Sequence, residues 1–168
     1  MFTKRLFLTA LTAATLLSAC SGMHHETAMN AAGVKTDLAV INPFILPPLP
    51  GRDTALAGFE VHNSGADADR LIAVSSPISA RVEIHTHLEE DGVMKMRQVE
   101  NGLDVLPGKT IALKRGGDHV MVFKTAIAET TDTVPLTLTF EKAGTITVDA
   151  AVAHDGQAPA MDHSKMGH

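Results

Sequence analysis

The chain has 168 residues, with 14 Lys and Arg against 19 Asp and Glu and a formal net charge of −5. That acidic balance, with no basic patch along the chain, argues against a nucleic-acid partner. A single cysteine excludes an internal disulfide, and the absence of Trp and Tyr leaves Phe as the only large aromatic for a core.

Residues 1–19 stand apart from the fold. Lys4 and Arg5 open the chain, and Leu6 to Leu17 form an apolar run. It is too short to span a bilayer as an ordinary helix and reads as a signal peptide. The run ends Leu17-Ser18-Ala19-Cys20, which resembles a bacterial lipobox. Cleavage before Cys20 and acylation of that residue would explain a lone cysteine in an exported protein. By the same resemblance, Ser21 in place of Asp favours the outer membrane. Cleavage leaves about 149 residues, enough for one domain with a core. Losing Lys4 and Arg5 leaves 12 basic and 19 acidic residues, a formal charge of −7. Residues 20–33 form a small, polar, lipidated tether that carries Met23, His24, His25 and Met29. These four are either a weak secondary ligand cluster or incidental.

The domain spans residues 34–152. Leu38 to Ile41 is a predicted strand, followed by a Pro-rich extended crossing from Asn42 to Gly51, since Pro blocks sheet pairing. Thr54 to His62 and Leu71 to Val74 are further strands, and His62 is read as structural. Arg81 to His87 and Val93 to Val99 are expected to form a hairpin. Leu106 to Lys109 is a turn, Thr110 to Leu113 a strand, and Lys114 to Asp118 a tight turn into the strand His119 to Phe123. No Gly-Lys-Ser/Thr pattern follows the paired glycines of that turn, so it is not a phosphate loop. Val134 to Glu141 and Thr145 to Val152 alternate apolar and polar residues at the strand period. Short strands, frequent turns and no helical period predict an all-β sandwich. Phe44, Phe59, Phe123 and Phe140 are the expected core anchors.

Residues 85–121 hold the chemistry. They contain three short pairs, His85-Thr86-His87, Met94-Lys95-Met96 and His119-Val120-Met121. On a strand, residues two apart face the same side, so each pair presents two possible metal donors together. A four-residue loop at Glu89 to Gly92 would set His87 opposite Met94 and His85 opposite Met96. The strand carrying His119 and Met121 could complete the site. Thioether sulfur is soft and neutral and selects Cu(I), whereas imidazole alone leaves the metal open. A thiolate-bound blue-copper site is excluded, because it needs a Cys within the fold. Met on a strand is ordinarily core filler. Here, apart from Met1, Met occurs only beside His, in this stretch and in the two tails, while Leu, Val, Ile and Ala fill the other strands.

The run VEIHTHLEEDGVMKMRQVE, followed by LPG, LKRGGDHVM and VPLTLTFEKAG, resembles the PCuAC family of periplasmic copper chaperones. That family's pattern is a His, ten residues, a Met, about twenty-one residues, then His-x-Met. Here ten residues separate His85 from Met96, and twenty-two separate Met96 from His119. The extra residue is expected near Asn101-Gly102. The resemblance covers roughly Val34 to Val152. It implies a cupredoxin-like Greek-key sandwich, with His85, Met96, His119 and Met121 as Cu(I) ligands and His87 and Met94 as secondary candidates.

Residues 153–168 are too polar and too rich in Gly and Pro to pack, yet include His154, Met161, His163, Met166 and His168. They are read as an arm that collects copper, with imidazole and carboxylate able to take Cu(II). The expected function is carriage of Cu(I) in the bacterial periplasm by a lipid-anchored protein that is not an enzyme. By the resemblance, the copper-accepting envelope protein is the copper centre of cytochrome c oxidase or a factor that assembles it. The alternative is a lipoprotein that sequesters envelope copper for tolerance and delivers none.

Overall fold

The computed structural model describes residues 36–90 and 92–154. Ten strands follow in chain order: β1 Leu38–Leu46, β2 Ala55–Asn63, β3 Asp69–Ser75, β4 Arg81–Glu90, β5 Val93–Gln98, β6 Leu103–Val105, β7 Thr110–Leu113, β8 His119–Phe123, β9 Thr133–Phe140 and β10 Gly144–Val152. No helix occurs among the described residues. The hydrogen-bonded order is β5-β4-β8-β2-β1-β10-β9-β3-β6, with β7 also paired to β2. All pairs are antiparallel except β1 with β10. A short crossing at 76–80, bridged between Ser76 and Ser79, carries the chain from β3 to β4. There β3 lies against β4, so the sheet doubles back into two layers.

Alternation decides what goes inside. Leu136, Leu138 and Phe140 of β9 are buried, while the Thr residues between them are half-buried. They meet Phe59 and Val61 of β2, Ile84 of β4, and Val120 and Val122 of β8 in one core. Phe44, Phe59 and Phe140 are core anchors as expected. Phe123 is not. Its ring lies on the outer face, 4.4 Å beneath the Arg81 guanidinium and 6.1 Å from the His85 ring.

Two other expectations need correction. The Pro-rich segment does not end the first strand. Pairing with β2 runs from Leu38 to Leu46, with one extra residue between Ile41 and Phe44. Asn42, at φ 50, and Pro43 sit in that bulge, where a strand tolerates a residue that cannot donate. The short strand β6 was unforeseen. It pairs only with β3, through Asp69, Arg70 and Leu71.

The direction of β1 positions everything else. It starts with Leu38 opposite Asn63 and ends with Leu46 opposite Leu56, and Leu56 is in turn opposite Met121 of β8. β10 runs parallel to β1, with Val152 opposite Ile45, so it finishes at the same end.

Candidate metal centre

Six donor side chains share one face of the β5-β4-β8 edge. Cross-strand partners point the same way, and the observed partners are His87↔Met96, Glu89↔Met94, His85↔His119 and Glu83↔Met121. The alternation read from the three pairs therefore holds. The hairpin register does not. His85 opposes Gln98 instead of Met96, and His87 opposes Met96 instead of Met94. Pairing continues to Glu90↔Val93, leaving only Asp91 and Gly92 between the strands, and Gly92 takes a positive φ of 75. Asp-Gly is a favoured two-residue hairpin connection. Glu90 is also held in the strand by Lys95 and Arg97, each at 2.9 Å from its carboxylate. Both loops are even-numbered, so the shift of two keeps every side chain on its face, where a shift of one would have turned them all over.

The imidazoles are oriented by hydrogen bonds. His119 is 2% exposed, and its Nδ1 lies 2.8 Å from the Gly117 carbonyl. The Nδ1 of His87 lies 3.1 Å from the same carbonyl. A carbonyl only accepts, so both rings carry a proton on Nδ1 and, when neutral, offer a bare Nε2. Burial, opposed by the Gly117 bond and assisted by His87 and His85, holds the His119 pKa below the ordinary imidazole value. His119 therefore favours the neutral, metal-competent form. His85 is held the other way round. Its Nε2 lies 2.9 Å from Glu83 Oε2, and its Nδ1 is buried with no hydrogen-bond partner among the described residues. The carboxylate of Glu83 also accepts from Arg81 Nε at 2.7 Å, and this bond, more than the one from His85, holds its pKa below the usual carboxylate range.

His87, Met96, His119 and Met121 open onto a groove of about 660 Å³, walled by Leu46, Pro47, Leu49 and Leu56 and flanked by Arg52 and Arg115. Met96 is 51% and Met94 59% exposed, and Met94 stands nearer the hairpin tip. Among the described residues, no three His, Cys, Asp or Glu side chains converge on one point. An ion here needs the thioethers, which is the chemistry of a soft metal. A second concavity, at the other end of β1, is lined by Asp37, Asn63, Asp69 and Lys142. Two of its polar side chains are committed to the fold: Asp69 accepts from the backbone of Arg70, Lys142 and Ala143, and Asn63 donates to Asp67 and Val105.

Of the remaining candidates, His62 bonds Thr110 Oγ1 at 3.0 Å, away from the donors. His154 lies 2.9 Å from the Thr131 carbonyl. Cys20, the tether donors, and Met161, His163, Met166 and His168 lie outside the described residues. Sequence reasoning missed Glu83 and the Gly117 carbonyl. Glu83-x-His85 was a readable signal, because residues two apart share a face. A backbone carbonyl leaves no such trace.

The family model described as "Putative lipoprotein LpqE-like" matches residues 38–152. The chain belongs to the LpqE-like family. One curated relative of this LpqE-like chain is "Putative lipoprotein Lxx21020" of Leifsonia xyli subsp. xyli, 25% identical over 148 residues, or 86% of this chain and 89% of the relative. Among solved structures, the copper-bound PCuAC domain from PmoF2 is 28% identical, with a TM-score of 0.58 over 70% of this chain and 93% of that domain. The apo PCuAC domain from PmoF1 is 26% identical, with a TM-score of 0.59 over 72% and 98%. Apo-DR1885 from Deinococcus radiodurans, 20% identical with a TM-score of 0.55 over 88% and 97%, shares the fold. The PCuAC resemblance and the cupredoxin-like β fold both stand.

Proposed function

We propose that this protein binds Cu(I) at the β5-β4-β8 edge and carries it within the bacterial envelope. One observation supports this above the rest. Two imidazoles with their Nδ1 atoms tied to a single carbonyl stand beside two thioethers, all facing one open groove. Neutral imidazole and thioether suit Cu(I) better than the borderline metals that prefer thiolate, imidazole and carboxylate. The likeness to a PCuAC domain solved with copper agrees.

Met96, His119 and Met121 are the proposed common ligands, with His85 as the fourth by the family pattern. The exposed thioether of Met96 suits transfer, because an acceptor's Cys or His can displace a neutral sulfur without proton release. The proposed acceptor is the copper centre of cytochrome c oxidase or a factor that assembles it. Lipidation of Cys20 would hold the carrier at the periplasmic face of an envelope membrane, and residues 153–168 would gather Cu(II).

Competition of the purified full-length chain against a Cu(I) chelator, with Zn(II) in a parallel arm, tests the binding. Preference for Cu(I), abolished by His119→Ala with Met121→Leu, is expected. Equal or tighter Zn(II) binding at the sheet end would overturn it. Deleting the gene tests delivery: loss of oxidase activity is expected, whereas copper sensitivity with normal oxidase would identify a sequestering protein.

A further inference from the structure

Three imidazoles occupy this sheet end, and the two on β4 are held in opposite senses. His87 shares the Gly117 carbonyl with His119 and offers Nε2. His85 gives its Nε2 to Glu83 and keeps a bare Nδ1 that is buried without a partner. A buried polar atom left unpaired is costly, and it is rare unless it has a task. The depths differ as well. His87 and Met96 line the open groove, whereas the lining does not include His85. His119 lies within reach of both, its ring 5.2 Å from His87 and 6.1 Å from His85. The three imidazoles do not converge on one point. They are thus arranged as two overlapping pairs, each containing His119.

Resting on the Cu(I) reading above, we propose that copper occupies two successive positions at this edge, with His87 Nε2 as the entry donor and His85 Nδ1 as the resting donor. His119 and the thioethers of Met96 and Met121 serve both. Passage exchanges one neutral imidazole for the other, so neither a proton nor an electron changes hands. Glu83 is a positioning residue. By holding the proton on Nε2 it leaves Nδ1 as the free donor atom of His85, in the way that carboxylates commonly fix the tautomer of a metal-binding imidazole.

The test uses the full chain, with Met161, His163, Met166, His168 and the tether donors Met23, His24, His25 and Met29 replaced by Ala in every arm. Rapid mixing with a Cu(I)–chelator complex gives the capture rate, and equilibrium competition gives the affinity. His87→Ala should slow capture by about tenfold while the affinity changes by less than about threefold. His87→Met, which restores a soft donor at the mouth, should recover the rate. His85→Ala should do the reverse, with capture near normal and affinity lower by at least about a hundredfold. Glu83→Leu should lower affinity by roughly 10–100-fold, the range for losing the partner of a metal-binding imidazole. Glu83→Gln, whose amide oxygen still accepts from Nε2, should restore most of that loss, which a merely structural role for the charge would not. A His87→Ala affinity as low as that of His85→Ala would mean a single site and overturn the proposal, as would an unchanged capture rate. Failure of the parent chain to bind Cu(I) at all would instead overturn the copper reading beneath it.

Discussion

The hairpin register makes two adjacent methionines unequal, and that inequality is measurable. Met96 stands opposite His87 and lines the groove, whereas Met94 stands opposite Glu89, two residue pairs nearer the tip. Residues two apart on a strand are separated by about 6.8 Å, so Met94 is set back by roughly that distance from His87 and by about twice it from His85, whereas Met96 is level with His87 and one such step from His85. Leu in place of either should leave the fold intact. Both side chains are more than half exposed, and surface exchanges of this kind usually stay within about 0.5 kcal/mol. Copper affinity should separate them. Losing even an indirect partner of a metal ligand costs roughly 10–100-fold. Losing a donor outright should therefore cost Met96→Leu at least about a hundredfold, or about 2.7 kcal/mol at about 1.36 kcal/mol per decade. Met94→Leu should stay within about threefold, or about 0.65 kcal/mol. The assay is Cu(I) competition with circular dichroism as a check on the fold. Equal losses at the two positions would refute the reasoning, because the opposing pair would then not be His87 and Met96.

Gly58→Ala should cost about 1–3 kcal/mol, the range for overpacking, because a Cβ there would meet the Leu113 carbonyl and lie 2.6 Å from two Phe44 ring carbons. An unchanged denaturant midpoint would count against that packing. The metal-free protein should lose stability on acidification. His119 has a depressed folded pKa, so its contribution is complete above the unfolded value of about 6.5 and declines as pH falls through the folded one. Denaturation midpoints between about pH 7.5 and 5.5 should fall less in His119→Gln than in the parent chain, and equal slopes would exclude this ring as the cause. Mass spectrometry of membrane-extracted protein should find a lipid on an N-terminal Cys20. An unmodified Cys20, or cleavage elsewhere, would rule that out.

What the sequence made legible was governed by period and parity. β7 and β8 begin and end at the residues expected between the flanking turns, and the Leu–Thr alternation of β9 foretold its buried face. Parity set the two donors of each pair on one face, and bringing the four hairpin donors together needed only a loop of even length. Register needs the length itself. Four residues and two residues both close a hairpin, and the strands themselves do not discriminate between them when every residue of β5 is exposed. The deciding features were local, an Asp-Gly pair and a Glu90 reached by two cations across the strand. β1 was cut short because Pro43 was read as a terminator, when an extra residue in β1 let the strand pass around it. Phe123 was placed inside by hydrophobicity alone, although parity with His119 and Met121 assigns it to their face. The site's orienting groups were the least legible, because one is a main-chain carbonyl and the other a carboxylate whose role depends on the partner beside it.

The course of β1 has a consequence for how the protein would stand on a membrane. Whatever precedes Leu38 joins the domain at the end marked by Asn63, and the groove that the donors line is walled by Leu46, Pro47 and Leu49, where β1 ends. Nine residues of strand separate the two ends, or about 30 Å. An anchor at Cys20 would thus hold the molecule by its foot and present copper at its crown, pointing outward from the lipid. The 17 residues from Ser21 to Asp37 extend at most about 60 Å, which together with the domain sets an outer reach of roughly 90 Å from such an anchor. An acceptor whose metal site stood within that radius of the anchor would be reached without a diffusing intermediary.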